Sequence, residues 1–212
     1  MFMRTRKLGT KRRGKSFFLH DAVYVARNIL GDYIVVKRRT SLLIARIVET
    51  ESYLGIKDDA SHSFRAKVTP RNKVLFEEGG IVYVYLIYGM CWCFNIVVSR
   101  KGDPQAVFIR AVEPVSGIDI MMRNRKIKDL NMLTKGPCRF TSAFGIDSRF
   151  LGKSLLSDDI YILYNSSKKF EICEAKRIGI DYANQSKDSL LRFYIKNNPF
   201  VSKKARSVHS AN

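Results

Sequence analysis

Hydrophobic and polar positions along this chain fall mostly into short alternating runs, and those runs predict strands. A brief helix comes first: Asp21-Ala-Val-Tyr-Val-Ala-Arg-Asn-Ile-Leu-Gly31 carries an N-cap residue at one end and a glycine past the other. Strands are predicted at 33–38 and 42–51, joined by the polar turn Arg38-Arg-Thr-Ser41. They recur at 81–88, 92–99 and 106–113, each rich in Val, Ile, Phe and Tyr, and in shorter form at 159–164, 170–178 and 191–196. Helical periodicity marks 116–125, and Thr134 or Gly136-Pro137 is expected to open a helix over 137–144. Thr69 with Pro70 is expected to start a helical turn that runs to Phe76. With no internal repeat, this mixture predicts a single α+β domain with mostly antiparallel pairing.

Composition narrows the partner. The 212 residues include 38 Lys+Arg against 19 Asp+Glu, a formal charge of +19, yet 46% are hydrophobic. A folded domain carrying that charge favours a polyanion, nucleic acid above all; the bland alternative is a soluble cationic protein. Residues 1–16 hold seven of the basic residues and no acid, which predicts a flexible basic arm before a domain at 17–203; 204–212 reads as a tail. Cys91 and Cys93 are spaced C-x-C in an apolar run while Cys138 and Cys173 stand alone. That pattern predicts neither a metal site nor a disulfide framework but ordinary thiols in a reducing compartment. No apolar run is long enough to span a bilayer, and His20 and Asp21 interrupt the only signal-like segment, so a bacterial-type cytosolic location near the nucleoid is expected.

Candidate chemistry concentrates between Arg46 and Asn95. On a strand, Glu49, Glu51 and Tyr53 share one face. Two carboxylates there are costly unless paired or useful, and Arg110, inside Ala106-Val-Phe-Ile-Arg-Ala-Val112, is an available partner; spacing does not say which Glu is catalytic. His62 lies in a small polar loop, where a lone histidine is more often a surface residue. Tyr83 and Tyr85 share a strand face, and core packing accounts best for Tyr83. Tyr88, before Gly89-Met90, falls at a hairpin tip, where an exposed aromatic suits insertion between base steps. Asn95 interrupts an apolar run and is either a structural hydrogen-bond hub or a reader of a ligand's polar edge.

These residues, in this order, resemble the alkyladenine (3-methyladenine) DNA glycosylase family. The likeness spans Ala26-Arg-Asn-Ile-Leu-Gly31, Arg46–Gly55, His62, Thr69-Pro-Arg-Asn72, Tyr83–Met90, Asn95, Arg110-Ala-Val-Glu-Pro114, Gly136-Pro137, Arg177-Ile-Gly-Ile180 and Arg192-Phe-Tyr-Ile195. It implies a compact mixed domain with a curved sheet and no metal or organic cofactor that acts on double-stranded DNA containing damaged purines; a monomer is expected, since one damaged base needs one pocket and no heptad is visible. It further implies that Glu51 activates a water held by Arg110 and the Ile178 carbonyl. Tyr53, His62 and Tyr85 are implied to sandwich a flipped purine, Asn95 to reject guanine, and Tyr88 with Met90 to fill the gap in the duplex. Arg71, Lys135 and Arg139 are candidate phosphate contacts. Cys91 departs from the family, in which an aromatic is common beside the methionine. The competing readings are a catalytically silent DNA or RNA binder on the same scaffold, and a lysine-using glycosylase/lyase.

Overall fold

In a computed structural model describing residues 11–202, the first long element is a hairpin. Its strands β1 (Tyr33–Arg38) and β2 (Ser41–Tyr53) pair from Tyr33↔Arg46 to Arg38↔Ser41, and Arg39 takes a positive φ in the turn. The remaining strands are β3 (Ile81–Ile87), β4 (Cys91–Val98), β5 (Gln105–Ser116), β6 (Ile160–Leu163), β7 (Ile172–Ala175) and β8 (Arg192–Ile195). They build one antiparallel sheet in the order β3-β4-β5-β2-β1-β6, with β8 pairing to the far half of β2 and β7 to β8. Strand β2 is therefore flanked along its length, and nine of its thirteen residues are buried, both charged glutamates included.

The two faces of the sheet do different work. Period-2 alternation sends Val82, Val84, Phe94, Ile96, Val107 and Ile109 into the main core under the helices. It sends Tyr83, Tyr85, Cys93, Asn95, Ala106, Phe108 and Arg110 the other way, onto the walls of a cavity. The helical side comprises α1 (Lys15–Phe18), α2 (Ala22–Asn28), α3 (Ile118–Arg125) and α4 (Pro137–Phe144). Asp21 caps α2 by accepting from Tyr24 N–H at 2.8 Å. The hydroxyls of Thr50 and Ser52 donate to the Ala26 and Ala22 carbonyls, both at 2.9 Å, locking α2 across β2. With Thr50 and Ser52 turned toward α2, Glu49, Glu51 and Tyr53 are left on the cavity side.

Several expectations are corrected. The turn at Thr69 is not among them: the Thr69 carbonyl accepts from Asn72 and Lys73 N–H at 3.2 and 3.0 Å, its hydroxyl accepts from Asn72 N–H at 3.3 Å, and the turn runs into the 3₁₀ helix Lys73–Phe76. Helix α4 begins with Pro137 behind Gly136, while Thr134 donates its hydroxyl to the Val112 carbonyl instead of capping. The strand expected at 170–178 stops at Ala175, because Arg177 turns into a buried ion pair. The fold starts before Phe17: Arg13 N–H donates to the Ile162 carbonyl at 2.8 Å and its guanidinium pairs with the buried Asp32. Thus 11–16 pack on the domain, while 1–10 and the tail at 204–212 lie outside the described residues.

The cysteines also depart from expectation. Cys91 and Cys138 are joined as a disulfide with Cα atoms 5.1 Å apart, while Cys93 and Cys173 are free. Closing a loop across 47 residues restricts the unfolded chain by about 4 kcal/mol on chain-entropy grounds. The sequence offered no local sign of this, since the partners belong to a strand and a helix brought together only by the fold.

Core packing peaks where α4 meets β4. Phe140 makes edge-on contacts with Phe94 and Phe144, at centroid separations of 5.8 and 5.1 Å, and all three are fully buried. Phe140→Ala is expected to lower unfolding free energy by about 3–5 kcal/mol, measured as a shift of the urea midpoint at unchanged slope.

Candidate active site

The cavity on the non-helical face encloses about 450 Å³, within the range of small-ligand sites. Its floor is the end of β2 with β5, its sides are β3 and β4, and its rim comes from the segments around Ala60–His62 and Ile178–Tyr182.

Beneath the floor lies a set of buried charges. The β2–β5 register passes from Glu49↔Ala111 to Thr50↔Ile109, so Arg110 has no residue opposite it, and this irregularity turns its guanidinium between the two glutamates. Arg110 Nε lies 3.3 Å from Glu49 Oε1 and its Nη1 lies 3.2 Å from Glu51 Oε1. Glu49 also accepts from Arg192 at 3.0 Å, from Ser202 N–H at 2.7 Å and from the Ser202 hydroxyl at 3.0 Å. Glu49 is therefore spent on structure. Glu51 is held by groups that line the cavity: Arg110, the Ile178 N–H at 2.8 Å on Oε1, and the Tyr53 hydroxyl at 3.1 Å on Oε2.

Burial pushes the Glu51 carboxyl above its ordinary value of 4.5; Glu49 adds to the rise, and Arg110, the Ile178 N–H and Tyr53 oppose it. A carboxylate of raised basicity under a ligand cavity suits proton abstraction. The Arg110 guanidinium is desolvated, but its two glutamates more than offset that and hold it charged.

The walls are aromatic. His62 Nδ1 shares a 2.9 Å hydrogen bond with the Tyr83 hydroxyl, and its ring stands edge-on to Tyr85 at 4.5 Å. Burial, helped by Arg71, pushes His62 below 6.5, so the imidazole is neutral at pH 7. Asn72 Nδ2 donates to the His62 carbonyl at 2.7 Å, fixing the loop that presents this ring. Tyr53 and Tyr85 line the cavity with His62, and Asn95, buried on β4, donates to the Tyr83 carbonyl at 3.2 Å.

At the sheet edge, β3 and β4 meet in a turn in which Tyr88 and Gly89 both take positive φ and Met90 N–H bonds the Ile87 carbonyl. A tyrosine in that conformation is strained, and Tyr88 is 88% exposed with Met90 at 84%. Arg71 is exposed and sets its guanidinium 5.1 Å from the Tyr85 ring centre. Lys135 and Arg139 meet at the start of α4, where Arg139 donates to the Lys135 carbonyl at 3.4 Å and Pro137 reaches the cavity.

Thus Arg110, Ile178, Tyr53, His62, Tyr85 and Asn95 line one cavity with Tyr88 also on its rim, while Glu51 lies fully buried behind Arg110, Ile178 and Tyr53, bonded to all three. Met90 stands apart at the tip, and the Ile178 N–H donates to Glu51. The missed residues are supports. Arg177 and Asp58 form a bidentate pair at 2.6 and 2.9 Å, with side chains 0% and 1% exposed. Arg177 also donates to the Ser52 carbonyl, so one guanidinium joins β2, the His62 loop and the Ile178 loop. Asp59 accepts from the N–H groups of Asn184, Gln185 and Ser186, pinning the second loop. The Asp58-Asp59 doublet was the visible signal, but its partners lie more than a hundred positions away.

Comparison with known proteins gives the family. The family model described as methylpurine-DNA glycosylase matches residues 16–199. A protein of Clostridium novyi named "Putative 3-methyladenine DNA glycosylase" is 49% identical over 202 residues, covering 92% of this chain and all of the relative. One of the same name from Natranaerobius thermophilus is 46% identical over 88% of this chain and 96% of its own length. A third, from Desulfitobacterium hafniense, is 41% identical over 92% of this chain and all of its own length. The chain belongs to the methylpurine-DNA glycosylase family, a family of DNA-repair enzymes that cleave N-glycosyl bonds. Among the described residues, no cluster of His, Cys, Asp and Glu suited to a metal is present, and no helix is long and apolar enough to cross a membrane.

Asp58 is pushed up by burial, but the Arg177 bonds and the Leu54 N–H outweigh this and hold it below its ordinary 3.8. Its contribution to stability is therefore full at neutral pH and lost as pH falls through the folded value. Asp58→Asn is expected to cost roughly 3–5 kcal/mol at pH 7, read by urea unfolding, because it leaves Arg177 buried without its counter-charge.

Proposed function

We propose that this protein is a monofunctional, monomeric purine DNA glycosylase that removes alkylated or deaminated purines (3-methyladenine, hypoxanthine, ethenoadenine) from double-stranded DNA. The observation that carries the reading is Glu51, a fully buried carboxylate of raised basicity beneath an aromatic cavity, beside a hairpin that exposes Tyr88 and Met90.

The chemistry follows from those parts. Flipping a base out of the duplex costs a few kcal/mol, least at a damaged or mispaired site, so weak pairing contributes selectivity. Tyr88, with Met90, fills the vacated space, while Tyr53, His62 and Tyr85 return stacking to the extruded purine. Neutral His62 offers a hydrogen bond without repelling a cationic alkylpurine. Asn95, tethered to the Tyr83 carbonyl, resists moving aside for the exocyclic amine of guanine. As the glycosidic bond breaks, positive character on the sugar is stabilised by Glu51, which takes a proton from the attacking water. Arg110 and the Ile178 backbone keep Glu51 and that water aligned. The Tyr53 hydroxyl yields its place on Glu51 Oε2 as the water enters. Among the described residues no lysine lines the cavity, which favours water over a Schiff base as nucleophile. Arg71, Lys135 and Arg139 take phosphates, and the chain's excess positive charge supports their hold.

The test is excision from a duplex carrying one hypoxanthine or one ethenoadenine, with and without alkali. Alkali-dependent cleavage is expected for the parent. Glu51→Gln is expected to lose at least about 10²-fold in rate while keeping lesion binding. Parent-like excision by that variant would remove Glu51 as the base, and lesion binding without excision of any purine, methylated ones included, would identify a silent binder. A borohydride-trapped adduct would identify a lyase. Tyr88→Ala, in a side chain that supports no core, is expected to keep its urea midpoint and lose about 1–3 kcal/mol of lesion affinity in a titration. Undiminished affinity would remove the wedge assignment.

A further inference from the structure

We infer that Cys91 and Cys138 form a reversible redox clip that stiffens the Tyr88–Met90 hairpin against the start of α4. The coupling to DNA binding rests on the glycosylase reading above; the clip itself rests on geometry.

The hairpin needs such a tie. Strand β3 is the sheet edge; near the tip the exposed Arg71 reaches the Leu86 carbonyl at 3.4 Å, and within the turn Met90 N–H bonds the Ile87 carbonyl at 3.2 Å. Cys91 follows Met90 directly, and its bond to Cys138 reaches the second residue of α4. That helix begins with Pro137, on the cavity wall, and carries Arg139 beside Lys135. One covalent link thus couples the exposed tip to a cavity wall and a basic turn.

Reversibility follows from placement. A protein that works on DNA operates where thiols are kept reduced, and disulfides there are more often regulatory than structural. The Cα separation of 5.1 Å falls within the usual disulfide span, so the bond forms with the backbone in place. Cys138 is exposed while Cys91 is 6% exposed, which makes Cys138 the entry point for exchange. Its thiolate attacks a small disulfide RSSR, releasing RS⁻ and forming a mixed disulfide; the Cys91 thiolate then attacks the Cys138 sulfur and releases the second RS⁻. Two protein thiols and RSSR become one protein disulfide and two RSH. Cys93 stays out of the exchange, because burial pushes its thiol up to about 11.

The experiment incubates parent and Cys138→Ser with oxidised or reduced glutathione, then applies thiol alkylation with peptide mass mapping and brief chymotrypsin digestion. Oxidised parent is expected to yield a linked Cys91–Cys138 peptide and to be nicked after Tyr88 at least about threefold more slowly than reduced parent. Cys138→Ser is expected to behave as reduced parent in both conditions. Absence of the linked peptide, or equal nicking in the two states, overturns the clip. In a protein that excises, the oxidised form is expected to bind lesion duplex about three- to tenfold more tightly, since hairpin freedom is lost before binding; equal affinity overturns the coupling to the wedge. A linked, protected hairpin without excision would sink the glycosylase reading and leave the clip standing.

Discussion

Two carboxylates and two guanidiniums buried under the sheet govern the architecture of this protein. Glu49, Glu51, Arg110 and Arg192 balance in charge, and each is at most 6% exposed. None of them is tolerable alone in that setting, because an unpaired buried charge costs several kcal/mol. Their mutual satisfaction requires β2, β5, β8 and the chain at Ser202 to be in place together. The catalytic carboxylate we propose is thus a member of a structural network, and its raised proton affinity is a consequence of folding.

The division of the sheet into two faces carries that network to function. One face is sealed by helices through Phe94, Phe140 and the hydroxyl bonds from Thr50 and Ser52 to the α2 carbonyls. Among the described residues the opposite face carries no α-helix; the Lys73–Phe76 turn packs there on Tyr83 and Ala106, beside two loops held by Asp58, Arg177 and Asp59. A sheet so covered has room for a ligand on one side without losing its core on the other. The Cys91–Cys138 link joins the two sides at the edge where the hairpin projects.

Much of this was legible in the chain. Alternation over Glu49, Glu51 and Tyr53 put them on one face, and the β3–β4 hairpin and α4 followed from turn and cap residues. Local patterns were insufficient wherever a distant partner decided the outcome. Which glutamate is structural depends on Arg192 and Ser202, far along the chain, and on the ladder irregularity at Arg110. The disulfide was invisible because the cysteine near Cys91 in the chain is Cys93, whereas its partner sits on a helix 47 positions away.

The central claim is that Glu51 acts as a carboxylate whose basicity burial has raised, and single-turnover excision of a cationic methylpurine as a function of pH tests it most directly. Such a substrate needs no protonation to leave, so the acid limb reports the base alone. Only the ionised carboxylate accepts a proton; the rate should therefore rise with pH, and its midpoint should lie above the 4.5 of an exposed glutamate. A limb at or below 4.5, or a rate that stays flat on acidification, would contradict the account.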